Sequence, residues 1–388
     1  MAVSIRSVAT AVPPTVLAQH AMRDLLAAQP GRSRLARRLI ASAFDASAID
    51  TRHTVVTDLD TAVREADPAS PPLLRDPATD AVLRPGTGAR NAAYAAALPP
   101  LLLAAAREAL AASGDLDLAD VTHVVTASCT GFFAPGPDYV LVRDLGLAPT
   151  TRRLHIGYMG CYAAFPALAA ARSICAEDPG AVVLVVCAEL CSLHLDASDD
   201  PDAIVAASVF ADGAAAAVVT ARPAPAGHRV LDIDELRTTL TPVGEQDMAW
   251  TIGDHGFEMV LSRYVPGIIH EHIRGALDGL LATAGTEVAD AHAVIERWAV
   301  HPGGRSVLDK VAAALDLDAE QMAPSRAVLR EFGNMSSATV LFILQRLLAG
   351  EDAGGTDRAA DGERVCAMAF GPGLTVESAL LTLRENPA

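Results

Sequence analysis

Three residues of this chain have the means to do covalent chemistry together, and each sits in a glycine-marked turn. Cys161 lies in Gly157-Tyr-Met-Gly-Cys161-Tyr-Ala, ahead of an apolar run from Ala163 to Ile174. A thiol at a helix start sees the positive end of the helix dipole, which favours the nucleophilic thiolate. His301, in His301-Pro-Gly-Gly304, follows the strand pattern Trp298-Ala-Val300. A strand's carboxyl end is where a site in an α/β fold lies, and an imidazole there can pair with a thiolate or donate to an oxyanion. Asn334, in Gly333-Asn-Met-Ser-Ser337, precedes a helical run. Its amide is a neutral donor, suited to a developing enolate. The three types together point to acyl transfer through a thioester. Each also has a plain structural reading: a small buried cysteine, a turn histidine satisfying a local carbonyl, and a helix N-cap.

Weaker candidates surround them. Phe210, in Ser-Val-Phe-Ala-Asp-Gly213, suits either core or pocket wall, and Met259, in Gly256-Phe-Glu-Met259, can line an apolar cavity. Cys129 ends a strand pattern and enters a loop, whereas the other cysteines fall within strand or core patterns. Arg32, Arg34, Arg37 and Arg38 form a basic cluster in an acidic chain. Such a cluster can hold the phosphates of coenzyme A; it can equally be a solvated face.

The elements that must position these residues alternate. Short β-branched runs predict strands at 123–127, 181–187, 214–220, 297–300, 365–370 and 376–383. Helical patterns fall at 99–112, 162–176, 268–282, 305–315 and 336–348. This order implies an α/β protein, with an antiparallel final pair joined by Gly371-Pro-Gly373. Residues 57–88 and 351–362 read as irregular. Pro223 to Gly227 reads as a hinge, which divides the chain into 1–225, carrying Cys161, and 226–388, carrying His301 and Asn334. No sequence repeat links the halves, but the similar element order permits a structural duplication.

Bulk properties exclude several classes. The 388 residues are 51% hydrophobic and carry a formal charge of −17, which predicts a large core and argues against a nucleic-acid partner. Much of the apolar content is alanine, which favours close helix–sheet packing. No run approaches the ~18 apolar residues of a membrane span, and no signal-peptide pattern opens the chain. Six cysteines in a chain this long do not form a disulfide framework. Cys187 and Cys191 lack the second pair that a zinc site needs. A cytoplasmic protein is expected.

Taken in order, four segments resemble one family. They are Met-Gly-Cys161, His301-Pro-Gly-Gly304, Gly333-Asn-Met-Ser-Ser-Ala338 and Phe370-Gly-Pro-Gly-Leu-Thr-Val-Glu377. The cysteine and histidine are 140 residues apart (161 to 301), and the histidine and asparagine 33 (301 to 334). The chain resembles the type III polyketide synthases, the chalcone-synthase-like enzymes, from about residue 34 to 384.

The resemblance implies a homodimeric, thiolase-like αβαβα layered fold of two similar halves, with no metal, cofactor or carrier protein. Cys161 would take the acyl group of a starter CoA thioester. His301 and Asn334 would hold malonyl-CoA and stabilise the enolate formed as carbon dioxide leaves. Repeated condensation would precede cyclisation to a pyrone or resorcinol-type ring. Phe210 matches the family's gate phenylalanine, Ser336 a cavity-wall position, and Phe370, Gly371, Pro372 and Gly373 the scaffold loop behind the cavity.

Departures from the plant pattern bear on substrate. A second gate phenylalanine aligns with Met259, and wall threonines align with Cys129, Cys191 and His194. The partner-chain methionine of the plant cavity aligns with Ala134, and Ala369 replaces the glycine that usually opens the scaffold loop. Ser128-Cys-Thr-Gly131 and Glu189-Leu-Cys-Ser-Leu-His194 resemble bacterial members that make alkylpyrones and alkylresorcinols, which implies an aliphatic starter. The plant pattern of CoA-binding basic residues is not kept, since Ser42 and Asp45 fall in that region. Other readings are a single-condensation enzyme like ketoacyl synthase III, and a catalytically silent thiolase-fold protein that binds CoA esters.

Overall fold

A computed structural model describes residues 2–67, 71–350 and 360–386. Nine strands form one mixed sheet: β1 (Ser4–Ala11), β2 (His123–Ser128), β3 (Arg152–Gly157), β4 (Val182–Leu190), β5 (Asp212–Thr220), β6 (Arg229–Leu240), β7 (Arg297–Val300), β8 (Arg364–Gly371) and β9 (Thr375–Glu385). Their order across the sheet is β7-β8-β9-β6-β1-β5-β4-β2-β3.

That order contains a duplication. In the first half β2 is parallel to β4, β4 antiparallel to β5, and β5 antiparallel to β1. In the second half β7 is parallel to β8, β8 antiparallel to β9, and β9 antiparallel to β6. The halves meet where Ser4 and Ile5 of β1 pair with Asp232 and Leu231 of β6. β3 is an added edge strand, parallel to β2 and mostly exposed. Pro223 to Gly227 is therefore a connection between two strands of one sheet.

Helices cover and divide the sheet. They include α1 (Arg34–Ala46), α2 (Thr87–Ala111), α3 (Ala164–Glu177), α4 (Pro201–Val209), α5 (Val265–Thr283), α6 (Arg305–Leu315) and α7 (Thr339–Ala349). Helices α3 and α7 each contact strands of both halves, so they form the inner layer. Outside it, α2 packs on β1, β4 and β5, and α5 packs on β6 and β9. The layers are thus helix, first-half strands, helix, second-half strands, helix, with the strands of both halves continuous in one sheet, as expected of a thiolase-like fold.

Local composition explains these elements. All nine residues of β4 are buried, as a β-branched run covered on both faces should be. In β5 four consecutive alanines, Ala214 to Ala217, are fully buried; they are poor strand formers, but their small side chains admit the helices closely. The expected helix at 99–112 differs most. It begins at Thr87 and carries Pro99 and Pro100 inside. Proline is favoured at a helix start, but the alanine-rich turns before Pro99 are strong helix formers and carry the helix through it. Residues 57–66 hold a short 3₁₀ turn and a short helix. Residues 351–359 lie outside the described residues.

Candidate active site

The two inner helices bring chemistry to their N-terminal ends. Cys161 lies in a 3₁₀ turn, Gly160–Tyr162, that leads into α3. Gly160 has φ +73°, and a methyl group there would lie 2.7 Å from Pro372 Cδ and 2.9 Å from the Trp250 ring. Only glycine lets the nucleophile turn sit against the scaffold loop. At Gly371 a methyl would collide with the Tyr162 ring, so the loop presses on Cys161's own turn. Asn334 stands just ahead of the 3₁₀ turn Ser336–Ala338, which leads into α7.

Asn334 Oδ1 and Nδ2 are both 4.0 Å from Cys161 Sγ. The Ser336 N–H donates to Oδ1 at 2.8 Å. That bond fixes the amide's orientation and leaves the Nδ2 hydrogens unused by the turn, with Gly303 O 3.5 Å away. The local turn thus uses the oxygen, and Nδ2 donates one hydrogen towards Gly303 O, which leaves the other for the site.

His301 follows β7, and its backbone N–H donates to Met368 O at 2.8 Å. Its side chain is buried, and neither ring nitrogen has a hydrogen-bond partner. Its turn reaches the cavity wall through Gly303 and Gly304. Burial lowers His301 to about 3. Burial also raises the Cys161 thiol to about 11, although Ser336 and Asn334 favour the thiolate. Either charge alone is therefore costly here.

The cavity occupies about 1110 Å³. Cys161, Asn334, Phe210, Met259, Ser336 and Phe370 are on its wall, as are Cys129, Cys191, His194 and Pro372. Phe210 closes α4, and Met259 pairs with Trp250 across a hairpin. His194 uses both ring nitrogens in support: Nδ1 accepts from the Phe257 N–H at 3.1 Å, and Nε2 lies 2.7 Å from Thr130 O. The Cys129 thiol donates to Glu189 Oε1 at 3.2 Å and lies 3.6 Å from Ser336 Oγ. Burial, followed by the Glu189 charge, pushes that thiol far up and holds it protonated.

Several residues with structural weight had no role in the sequence reading. Glu189 is fully buried at the end of β4 and accepts from Ser337 Oγ, Thr130 Oγ1 and the Cys129 N–H at 2.5, 2.9 and 2.9 Å. A lone acid closing the apolar run of β4 was its signal. Trp250 lines the cavity beside the nucleophile turn; nothing nearby in sequence marks it. The basic cluster is placed differently from the CoA role considered for it. Arg32 is buried, bound to Asp199 Oδ1 at 2.7 Å and to Leu26 O at 3.1 Å. Arg34, Arg37 and Arg38 do not reach the cavity wall, to which α1 contributes Ala43 and Ala46. The wall's cations include Arg263, Arg305 and Lys310, the last being the chain's only lysine.

A cysteine thiol beside an oriented amide, on a duplicated thiolase-like fold, suits acyl transfer. The comparisons with known proteins make the class specific. Residues 2–223 match the model for the N-terminal domain of chalcone and stilbene synthases, and residues 233–384 match that for the C-terminal domain. The chain belongs to this family and is a type III polyketide synthase by family and fold. A crystal structure of PKS-I from the brown alga Ectocarpus siliculosus is similar, with a TM-score of 0.84 and 28% identity over 98% of both chains. The 1,3,6,8-tetrahydroxynaphthalene synthase of Streptomyces coelicolor A3(2) is 28% identical over 99% of both chains, with a TM-score of 0.82. The C-terminal type III polyketide synthase domain of Steely1 from Dictyostelium gives a TM-score of 0.85 at 26% identity, covering 98% of this chain and 99% of that one.

Proposed function

We propose that the protein carries out iterative decarboxylative condensation of malonyl-CoA onto an aliphatic acyl-CoA starter. Cyclisation then gives a pyrone or resorcinol-type product. The observation that carries this reading is the Asn334 amide, oriented by Ser336 and 4.0 Å from the Cys161 sulfur. Decarboxylation puts negative charge on a thioester oxygen, and fixed donors in a dry site stabilise it with little reorganisation.

The steps balance as follows. Cys161 gives its proton to His301 and attacks the starter thioester, and the CoA thiolate leaves with that proton. The carboxylate–carbon bond of malonyl-CoA then breaks, carbon dioxide departs, and the electron pair becomes an enolate held by Asn334 Nδ2–H and the ring N–H of His301. The carbanion attacks the Cys161 thioester and expels the sulfur. The extended chain can return to Cys161 for another round.

The cavity supports repetition. Pockets for a single small ligand occupy roughly 300–1,000 Å³, and this one, at about 1110 Å³, leaves room for a growing chain. The cations Arg263, Arg305 and Lys310 on the cavity wall are suited to hold CoA phosphates. Lys310 has no carboxylate partner among the described residues. No group of three or more metal-binding side chains is present among the described residues, and no described helix is long and apolar enough to cross a membrane. The reading includes no cofactor, a cytoplasmic location and a homodimer. The exposed edge strand β3, with Phe132, Leu154 and Tyr158 uncovered nearby, supports a second copy docking there.

The test is product mass spectrometry with labelled malonyl-CoA and acyl-CoA starters from acetyl to palmitoyl. Tri- or tetraketide pyrones or resorcinols, strongest with one starter length, are expected. Single β-keto products would indicate a ketoacyl-synthase-like enzyme instead, and no labelled product a silent CoA-ester binder.

A further inference from the structure

Arg52 is a buried arginine on the short strand Thr51–Thr54. Its Nη1 donates to Ala207 O at 2.7 Å and to Phe210 O at 2.8 Å. These are carbonyls from the last turn and cap of α4, which the helix itself leaves unpaired and which attract a cation. The chain leaves α4 at Phe210 and is tied at once to Asn334. The Asn334 N–H donates to Val209 O, and the Ala211 N–H donates to Asn334 O, both at 2.8 Å. One backbone clamp therefore carries both the gate ring and the donor amide.

The Arg52 stem packs against the other side of this clamp. A methyl on Gly333 would lie 3.0 Å from both Arg52 Cγ and Val209 O. The guanidinium lies over the Phe44 ring at 5.6 Å, and its Nε and Nη2 groups find no acceptor. Leaving two buried donors unpaired is costly, so the two carbonyl bonds define where this group is held.

We propose that Arg52 is a positioning residue for malonyl decarboxylation. By gripping the end of α4 and backing Gly333, it sets the separation between the Phe210 gate and the Asn334 amide. The inference rests on the synthase reading and adds a residue that, although its side chain borders the cavity, acts on the reaction through the backbone it holds.

The test measures two half-reactions in Arg52→Lys and Arg52→Gln: carbon dioxide release from malonyl-CoA, and acylation of Cys161 by a labelled starter CoA. A shift of about 1 Å in a reacting group can cost ~100-fold. We expect Arg52→Lys to lower kcat for decarboxylation at least about tenfold. KM for malonyl-CoA and the acylation rate should stay within about twofold. In an Asn334→Ala background, Arg52→Lys should cost nothing further, because its effect passes through that amide. Equal losses in both half-reactions, additive losses in the double variant, or unchanged decarboxylation overturns the inference. So does failure of both variants to fold, which would make Arg52 a structural strut only. A wild-type protein that releases no carbon dioxide overturns the synthase reading first, and this inference with it.

Discussion

The turn that carries Cys161 and the turn that carries Asn334 occupy the same place in the two halves of the molecule. Each begins with a glycine of positive φ, +73° at Gly160 and +72° at Gly333. Each passes through a 3₁₀ turn and enters an inner helix, α3 or α7, that touches strands of both halves. The duplicated scaffold thus aims two helix N-termini into one cavity. What differs is the residue after the glycine: a cysteine thiol in one half, a neutral amide in the other. In the proposed reaction one half would hold the acyl group, and the other the charge that develops when malonyl loses carbon dioxide.

Removing the nucleophile is the strongest way to break this division. Cys161→Ala is expected to abolish condensation, a fall of at least ~1,000-fold, while malonyl decarboxylation persists because Asn334 is untouched. Product formation and carbon dioxide release, measured on the same sample, check this. Next in size, Asn334→Ala should lower decarboxylation by about 100- to 1,000-fold, as loss of one oxyanion donor does. Its Cys161 should still acylate from a starter CoA, which a labelled thioester reports. Normal product in either variant would sink the assignment.

The sequence carried one side of this comparison better than the other. Cys161, His301 and Asn334 sit in turns whose glycines and prolines are local signals, so they are legible residue by residue. The strands β4, β5, β7, β8 and β9 are legible for a similar reason, since burial on both faces writes itself as continuous apolar runs. Strand β3 is mostly exposed, and its arginines and histidine carry no such pattern. Arg52, Glu189 and Trp250 owe their places to contacts far away in sequence: Arg52 with Ala207, Glu189 with Ser337, and Trp250 against Gly160 and so beside Pro372 in the fold. No local rule reports these. The basic cluster near Arg34 shows the converse, because charge density along a chain does not say which way a helix faces.

A smaller effect concerns the proton that must leave Cys161. Burial is the main reason the thiol stands at about 11 and the whole reason the imidazole stands at about 3, so a thiolate at neutral pH depends on a partner taking its proton. If that partner is His301, charge appears on both groups together and their attraction offsets part of the burial cost. Wild-type alkylation by iodoacetamide should then vary little around neutral pH. In His301→Gln the thiol stands alone. Below its pKa the thiolate fraction falls about tenfold per pH unit, so the rate should be lower at pH 7 and climb steadily towards pH 11. A His301→Gln rate equal to wild type at pH 7 would remove His301 as the proton acceptor.

The smallest effects come from the glycines, and they sharpen the comparison most. At Gly160 an added methyl meets Pro372 and the Trp250 ring, and at Gly333 it meets Val209 O and the Arg52 stem. Each Gly→Ala change also forces a residue with a Cβ to positive φ, so each should destabilise the fold by about 2 kcal/mol. Thermal unfolding should register similar losses for the two variants. Their activities should diverge, because the strain falls on different turns. Gly160→Ala displaces the sulfur and should slow Cys161 acylation several-fold, with decarboxylation less affected. Gly333→Ala displaces the amide and should do the reverse. If both variants lost both half-reactions equally, the two turns would be one mechanical unit, and the division of chemistry between the halves would not hold.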